Sequence, residues 1–203
     1  MLSSITPLGE RGKGNRYVVT AAAHVVGGLV GGALLGLAAA GVGAVARALG
    51  LGATGALAAV GVAALGAGLV DLAARDRPRL SPWRRQVNEQ WLDEFRGWVY
   101  GAGFGVQLGL GLATIVTSAT TYAAIASMAL QPSVTSAVAV GASFGLVRGA
   151  IVLVAARVDR PARLVELHRT LAAWARPAAT ATGVAAAALG AVTLGLVATG
   201  AVA

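Results

Sequence analysis

The sequence predicts an all-α, polytopic integral membrane protein: five transmembrane helices forming a two-copy pseudo-repeat plus a fifth span, with two amphipathic inner-surface helices. Three observations carry this reading. Hydrophobic residues make up 57% of the chain and charged ones 12%, with a mean hydropathy of +0.75, whereas soluble domains are about 25% charged. The charges are confined to a few segments, leaving uncharged runs that exceed the ~20 residues needed to cross a bilayer. Within those runs small residues recur every fourth position, which lines them along one side of a helix where another backbone can approach. A disordered Gly/Ala-rich chain does not fit, because the apolar runs are long and the charges are not dispersed. A chain of 203 residues has room for one membrane domain and for no soluble domain of ordinary size.

Residues 1–16 form a short cytoplasmic head with Thr6-Pro7 and the basic cluster Arg11, Lys13 and Arg16. No apolar core of a secretory signal is expected there. Residues 17–203 are read as a single transmembrane domain. Span 1 covers about 17–46 and carries the ladder Thr20, His24, Gly28, Gly32, Gly36 and Ala40. After a Gly-containing turn, span 2 covers about 53–74 with one charge, Asp71. Ser81-Pro82 starts the first surface helix, 82–96: Ser suits the N-cap and Pro the first helical position. Trp83, Val87, Trp91 and Phe95 then recur every four residues, the pattern of a helix lying in the interface with its tryptophans at headgroup depth.

Span 3, about 97–122, has two small-residue sides. One is Gly101, Gly105, Gly109, Ala113, Thr117 and Thr121, and the other is Gly103 and Gly111 flanking Gln107. Gln131-Pro132-Ser133 is a break. Span 4, about 134–156, carries Ala137, Gly141, Gly145 and Gly149 with one charge, Arg148. A second surface helix, 161–176, has Leu164, Leu167, Leu171 and Trp174 at helical spacing. Span 5, 178–203, is uncharged.

Basic residues crowd the head and the segments 75–96 and 157–176, while the turns near 49–54 and 130–133 carry none. By the positive-inside rule this places the N-terminus inside and the C-terminus outside a plasma (cytoplasmic) membrane. The same rule accounts for the net charge of +8, so nucleic acid is not an expected partner. The pseudo-repeat rests on Ala73-Ala-Arg-Asp-Arg-Pro-Arg-Leu80 and Ala155-Ala-Arg-Val-Asp-Arg-Pro-Ala-Arg-Leu164, which close spans 2 and 4. Coincidence in Ala/Gly/Leu-rich sequence is the competing explanation.

Ionisable groups inside a span are costly and mark candidate sites. His24, Asp71, Gln107 and Arg148 fall in the inner half; counted from the basic clusters, His24, Arg148 and Gln107 share about one level, with Asp71 nearer the surface. The expectation is a buried polar cluster in which Arg148 meets Asp71 and His24 or Gln107. Plainer roles stay open: Arg148 snorkelling inward, Asp71 pairing with Arg75 one turn on, His24 as a helix–helix contact, and Gln107 as interhelical glue. Helix packing is assigned to Gly28, Gly32, Gly36, Gly101, Gly105, Gly109, Gly141, Gly145 and Gly149.

Other chemistry is not expected. Gly101-Ala-Gly-Phe-Gly sits inside an apolar span with no preceding strand, so it is no dinucleotide loop. His24 and His168 lie on different segments and make no metal site. There is no nucleophile with a base and acid nearby, and no catalytic residue or cofactor is assigned.

The stretch Gly103-Phe-Gly-Val-Gln-Leu-Gly-Leu-Gly-Leu112 resembles the Gly-Phe-Gly…Pro-Cys…Gly-Pro stretch in the fourth span of the CcdA/DsbD-like membrane family, within the LysE-type exporter superfamily. The resemblance implies two inverted three-helix repeats, with spans 1–5 here corresponding to the last five of six. Thr6-Pro7 then sits where the first span's Pro-Cys motif ends. Gln107-Leu108 stands in place of Pro-Cys, and the chain has no cysteine, so the family's thiol–disulfide chemistry has no residue to carry it. The expected function is that of a small transporter or exporter-like protein for a small solute or ion. The rival is a structural or accessory subunit that packs through its Gly ladders against a second copy or a partner membrane protein. The lipid bilayer is a partner in either case.

Overall fold

The computed structural model describes residues 5–73, 90–111 and 118–202. Every regular element among the described residues is a helix. In chain order they form α1 (Pro7–Gly12), α2 (Tyr17–Ala48), α3 (Ala53–Ala73), α4 (Trp91–Glu94), α5 (Gly97–Gly109), α6 (Ala119–Ala129), α7 (Val134–Ala150), a 3-10 segment (Ile151–Arg157) and α8 (Pro161–Ala198). Among them, four stretches are long and apolar enough to cross a membrane: Tyr17–Ala48, Ala53–Ala73, Val134–Arg157 and Pro161–Ala198.

Two expectations look different in the structure. The stretch expected as span 3 is not one helix. It is α5, then Gly111 in the left-handed region (φ +66°), and a restart at α6; residues 112–117, which include Ala113 and Thr117 of its ladder, lie outside the described residues. The second surface helix and the fifth span are one 38-residue helix, α8, with Pro177 inside it. Pro177 removes one backbone donor and disfavours but does not forbid continuation, and the Ala-rich sequence on either side favours helix strongly. At 1.5 Å per residue α8 is about 57 Å long, well beyond the ~30 Å of a hydrocarbon core. The first surface helix, 82–96, lies outside the described residues up to 89. In the remainder of that stretch the short α4 puts Trp91 nearly parallel to Phe104 of α5 at 6.1 Å between ring centroids, over Gly103.

The chain divides into two compact units. The first comprises residues 1–35, 83–115 and 141–173. Its centre is α2, flanked by α5 and α7. A Cβ on Gly32 would meet the Cα of Gly145 at 2.8 Å, and one on Gly109 would meet the backbone nitrogen of Gly32 at the same distance. The helices therefore touch backbone to backbone, and any side chain at these positions would separate them. Gly97 and Gly101 lie beside Thr20 and Gly109 beside Gly28 and Gly32, so α5 runs parallel to α2. Gly149 lies beside Gly28 and Gly141 beside Gly32, so α7 runs antiparallel to it. Ile5, Ala21, Tyr100, Phe104 and Val152 close the core at the end where α2 begins.

The second unit comprises residues 36–82, 116–140 and 174–203. Here α3 packs on α6 and, antiparallel, on the later part of α8, where Gly61 and Gly68 meet Gly190 and Gly183 respectively. Gly36 and Gly43 of α2 abut the backbones of Ala137 and Ala129. Arg47 Nη1 donates to the Gln131 carbonyl at 3.0 Å.

Candidate functional site

The four polar residues singled out from the sequence are distributed over two kinds of place. Asp71 belongs to the second unit, in the last turn of α3. Its carboxylate accepts from Ser118 Oγ (2.6 Å), the Ala119 backbone N–H (2.6 Å), the Thr120 backbone N–H (3.0 Å) and Thr120 Oγ1 (2.7 Å). The first N–H groups of a helix have no partner within it. Ser118 is extended and does not cap α6 with its own side chain, so Asp71 performs that task from another helix. A carboxylate is favoured there by the helix dipole as well as by the hydrogen bonds.

Arg148 belongs to the first unit. Its Nε donates to the Leu108 carbonyl at 3.0 Å, and its guanidinium lies 5.3 Å from the centre of the Phe144 ring. Leu108 is in the last turn of α5, where its carbonyl also accepts from the Gly111 N–H. A cation at that end complements the negative pole of the helix dipole. In the first unit Arg148 thus serves the C-terminus of α5, and in the second Asp71 serves the N-terminus of α6.

His24 is 2% exposed, and its Nδ1 lies 3.2 Å from the Gly101 carbonyl. Gly101 and Leu108 are about two turns apart on α5, so His24 and Arg148 bond to different parts of that helix. Gln107 is partly buried on α5 and makes no hydrogen bond to a described residue. The described contacts of Arg148 and His24 are to carbonyls of α5, and those of Asp71 are to the start of α6.

A third polar centre was not anticipated. Glu10, in the head, is 0% exposed. Tyr100 OH donates to its Oε1 and Thr20 Oγ1 to its Oε2, the latter at 2.7 Å. Asn15 Nδ2 donates to Tyr100 OH at 3.3 Å, and Asn15 Oδ1 accepts from the Gly97 N–H at 3.4 Å, at the start of α5. A carboxylate removed from water is tolerated only when hydrogen-bonded, and these donors meet that need. Thr6 starts α1 as its N-cap, accepting from the Gly9 N–H at 3.0 Å, with Pro7 as the first helical residue. The head is held further by the Leu8 N–H on the Val158 carbonyl (3.1 Å) and by Tyr17 OH on the Val152 carbonyl (2.9 Å). In the sequence, Glu10 is a lone acid among Arg11, Lys13 and Arg16; Thr6-Pro7, an N-cap residue followed by proline, is the local signal for the start of a helix there.

Compared with known proteins, the chain matches no family model, no curated protein and no solved structure.

Proposed function

We propose that this chain is a transporter-like multi-pass membrane protein that moves a small solute or ion. The observation that carries the reading is that a charged side chain within each of two apolar helices is held by a helix end: in one unit Arg148 by the last turn of α5, in the other Asp71 by the first of α6. Unsatisfied backbone in hydrocarbon costs several kcal/mol, so a span is broken only where the break is buried in protein or lines a polar cavity. Secondary transporters build their sites from discontinuous helices of this kind. With α5 and α6 counted as one crossing, five spans result. The parallel course of α2 and α5 and the antiparallel course of α7 agree with the N-terminus and the basic segments on the inner side.

The accessory-subunit reading draws on free Gly ladders, and the ladder positions of α2, α5 and α7 are occupied within the chain, which weighs against it. Kinship with the CcdA/DsbD-like family is proposed at the level of fold only, on the stretch 103–112, and brings no thiol chemistry with it.

The test is flux. The purified chain, reconstituted into vesicles with an entrapped pH dye, should respond to an imposed proton or sodium gradient, and Asp71→Ala should abolish the response while Gly41→Ala, at an open position, retains it. A folded wild-type chain that carries neither ion, nor any amino acid or sugar offered in counterflow, would overturn transport and leave the accessory role.

A further inference from the structure

A second inference goes beyond the transport reading and shares with it only the placement of the chain in a bilayer. We propose that the head and the start of α5 form a docking site for an anionic phospholipid, whose phosphate sits among Lys13, Arg16 and Arg96 at the end of the first unit where α2 begins.

The burial of one acid makes the patch. Glu10, the lone carboxylate of the head, is turned inward onto Tyr100 and Thr20, which leaves Arg11, Lys13 and Arg16 exposed at the surface. Arg96, also exposed, is brought beside them: the Gly97 N–H donates to Asn15 Oδ1 at 3.4 Å, so the residue before α5 lies next to the residues before α2. Lys13 is positioned as well. Its Nζ lies 5.4 Å from the centre of the Tyr100 ring, whose hydroxyl is held by Glu10 and Asn15. None of these four cations pairs with a carboxylate among the described residues; Glu94, exposed and two residues before Arg96, pairs with none of them. Cations gathered without counter-charges attract anions. Arg16 and Arg96 can each grip two phosphate oxygens in a fork, while Lys13 acts as a point charge.

What lies next to the charges selects the anion. Val18 and Val19 at the start of α2, and Phe95 and Trp98 around the start of α5, are all exposed. The apolar run of α2, long enough to cross a membrane, begins at Tyr17, directly after Arg16. Cations and uncovered apolar surface therefore meet within a few residues on two parallel helices. A soluble phosphate answers the cations and leaves the valines and the tryptophan in water. A phospholipid answers both, with its phosphate on the cations and its acyl chains along α2 and α5. Tryptophan close to basic residues is also the arrangement found at headgroup depth. A zwitterionic lipid brings the same phosphate with a cationic group that this patch repels, so the anionic class is favoured, as for other basic segments flanking a span.

Trp98 supplies the probe, since it adjoins the patch. In phosphatidylcholine vesicles containing tail-brominated phosphatidylglycerol, the part of the fluorescence quenching that disappears in Trp98→Phe reports the lipid beside α5. It should exceed the quenching given by the same fraction of tail-brominated phosphatidylcholine. Lys13→Gln combined with Arg96→Gln should lower that preference by about fivefold for each charge removed. Arg163→Gln combined with Arg169→Gln, an equal loss of charge on α8, should leave it unchanged. Equal quenching by the two lipids, a preference that survives Lys13→Gln with Arg96→Gln, or one that falls as far in the α8 control would overturn the site. Inorganic phosphate at constant ionic strength should not displace the brominated lipid; displacement would assign the patch to a soluble anion and overturn the lipid. A second measurement needs no variant: the thermal midpoint of the chain in micelles should rise with phosphatidylglycerol more than with phosphatidylcholine, and equal midpoints would count against the site. Ion flux in the same vesicles tests transport separately, so a lipid preference without flux would remove transport and leave the docking site.

Discussion

Replacing Asp71 by alanine tests the structure most sharply, because one side chain there satisfies four donors. Hydrogen bonds to a charged group contribute ~1.5–3 kcal/mol each but do not add. Ser118 and Thr120 can redirect their hydroxyls to nearby backbone, so the loss concentrates on the Ala119 and Thr120 N–H groups. Removing an N-cap costs ~0.5–2 kcal/mol in water, and stranding amides away from water adds to that. The net expectation is about 2–4 kcal/mol, felt locally at α6. Asp71→Asn keeps an acceptor of equal capping quality and should lose about 1 kcal/mol, mainly the charge–dipole term. Amide hydrogen exchange in detergent micelles reads this residue by residue: a local loss of ~3 kcal/mol speeds exchange at Ala119 and Thr120 by roughly 100-fold, with α2 and α7 amides unaffected. If Asp71→Ala left those two amides as protected as in the wild type, the carboxylate would not be what caps α6, and the interruption would need another explanation.

Four further outcomes are expected. Gly145→Val should prevent or severely weaken folding, since its branched side chain would enter the backbone of α2 at Gly28 and Gly32; overpacking of this kind costs at least ~1–3 kcal/mol, while Gly41→Ala, facing open space, should leave the thermal midpoint unchanged or raise it slightly. Arg148→Ala should accelerate exchange at Leu110 and Gly111, just past the end of α5, by the ~1.5–3 kcal/mol of a charge-assisted bond to the Leu108 carbonyl, with α6 untouched. Gly97→Leu should displace the head, read as rapid exchange at the Glu10 and Asn15 amides, because the added side chain meets Glu10, Asn15 and Thr20 together. Because the chain has no cysteine, single cysteines report topology cleanly: at Lys13 and His168 they should be labelled only after permeabilisation, and at Gly50 and Pro132 from outside; the reverse pattern would invert the orientation.

Much was legible from residue pattern alone. Long uncharged runs and their turn signals, such as Gly50 after α2 and Gln131-Pro132 after α6, mark where apolar helices begin and end, because in an apolar setting a helix is the one way a single segment satisfies its own backbone. The break in the third stretch was not legible. Gly109-Leu-Gly111 reads as well for close packing as for a left-handed turn, and only the carboxylate of Asp71, more than forty residues earlier, makes a restart at Ala119 favourable. Nor was the continuity of α8 through Pro177, where strong helix formers on both sides outweigh one lost hydrogen bond. Charge counting does not single out Glu10, since nothing local distinguishes a buried acid from an exposed one.

By itself, then, the sequence determined the all-helical class, the apolar lengths and the small-residue spacing that lets α2, α5 and α7 meet at their backbones, for these follow from hydropathy and a 3.6-residue period. Tertiary structure decided what each charge is for. Arg148 and Asp71 gain their roles from the ends of helices that lie far from them in the chain, and Glu10 from hydroxyls on two other helices. The physical reason is that a polar group in an apolar interior is defined by its partner, and partners are chosen by packing rather than by sequence neighbourhood.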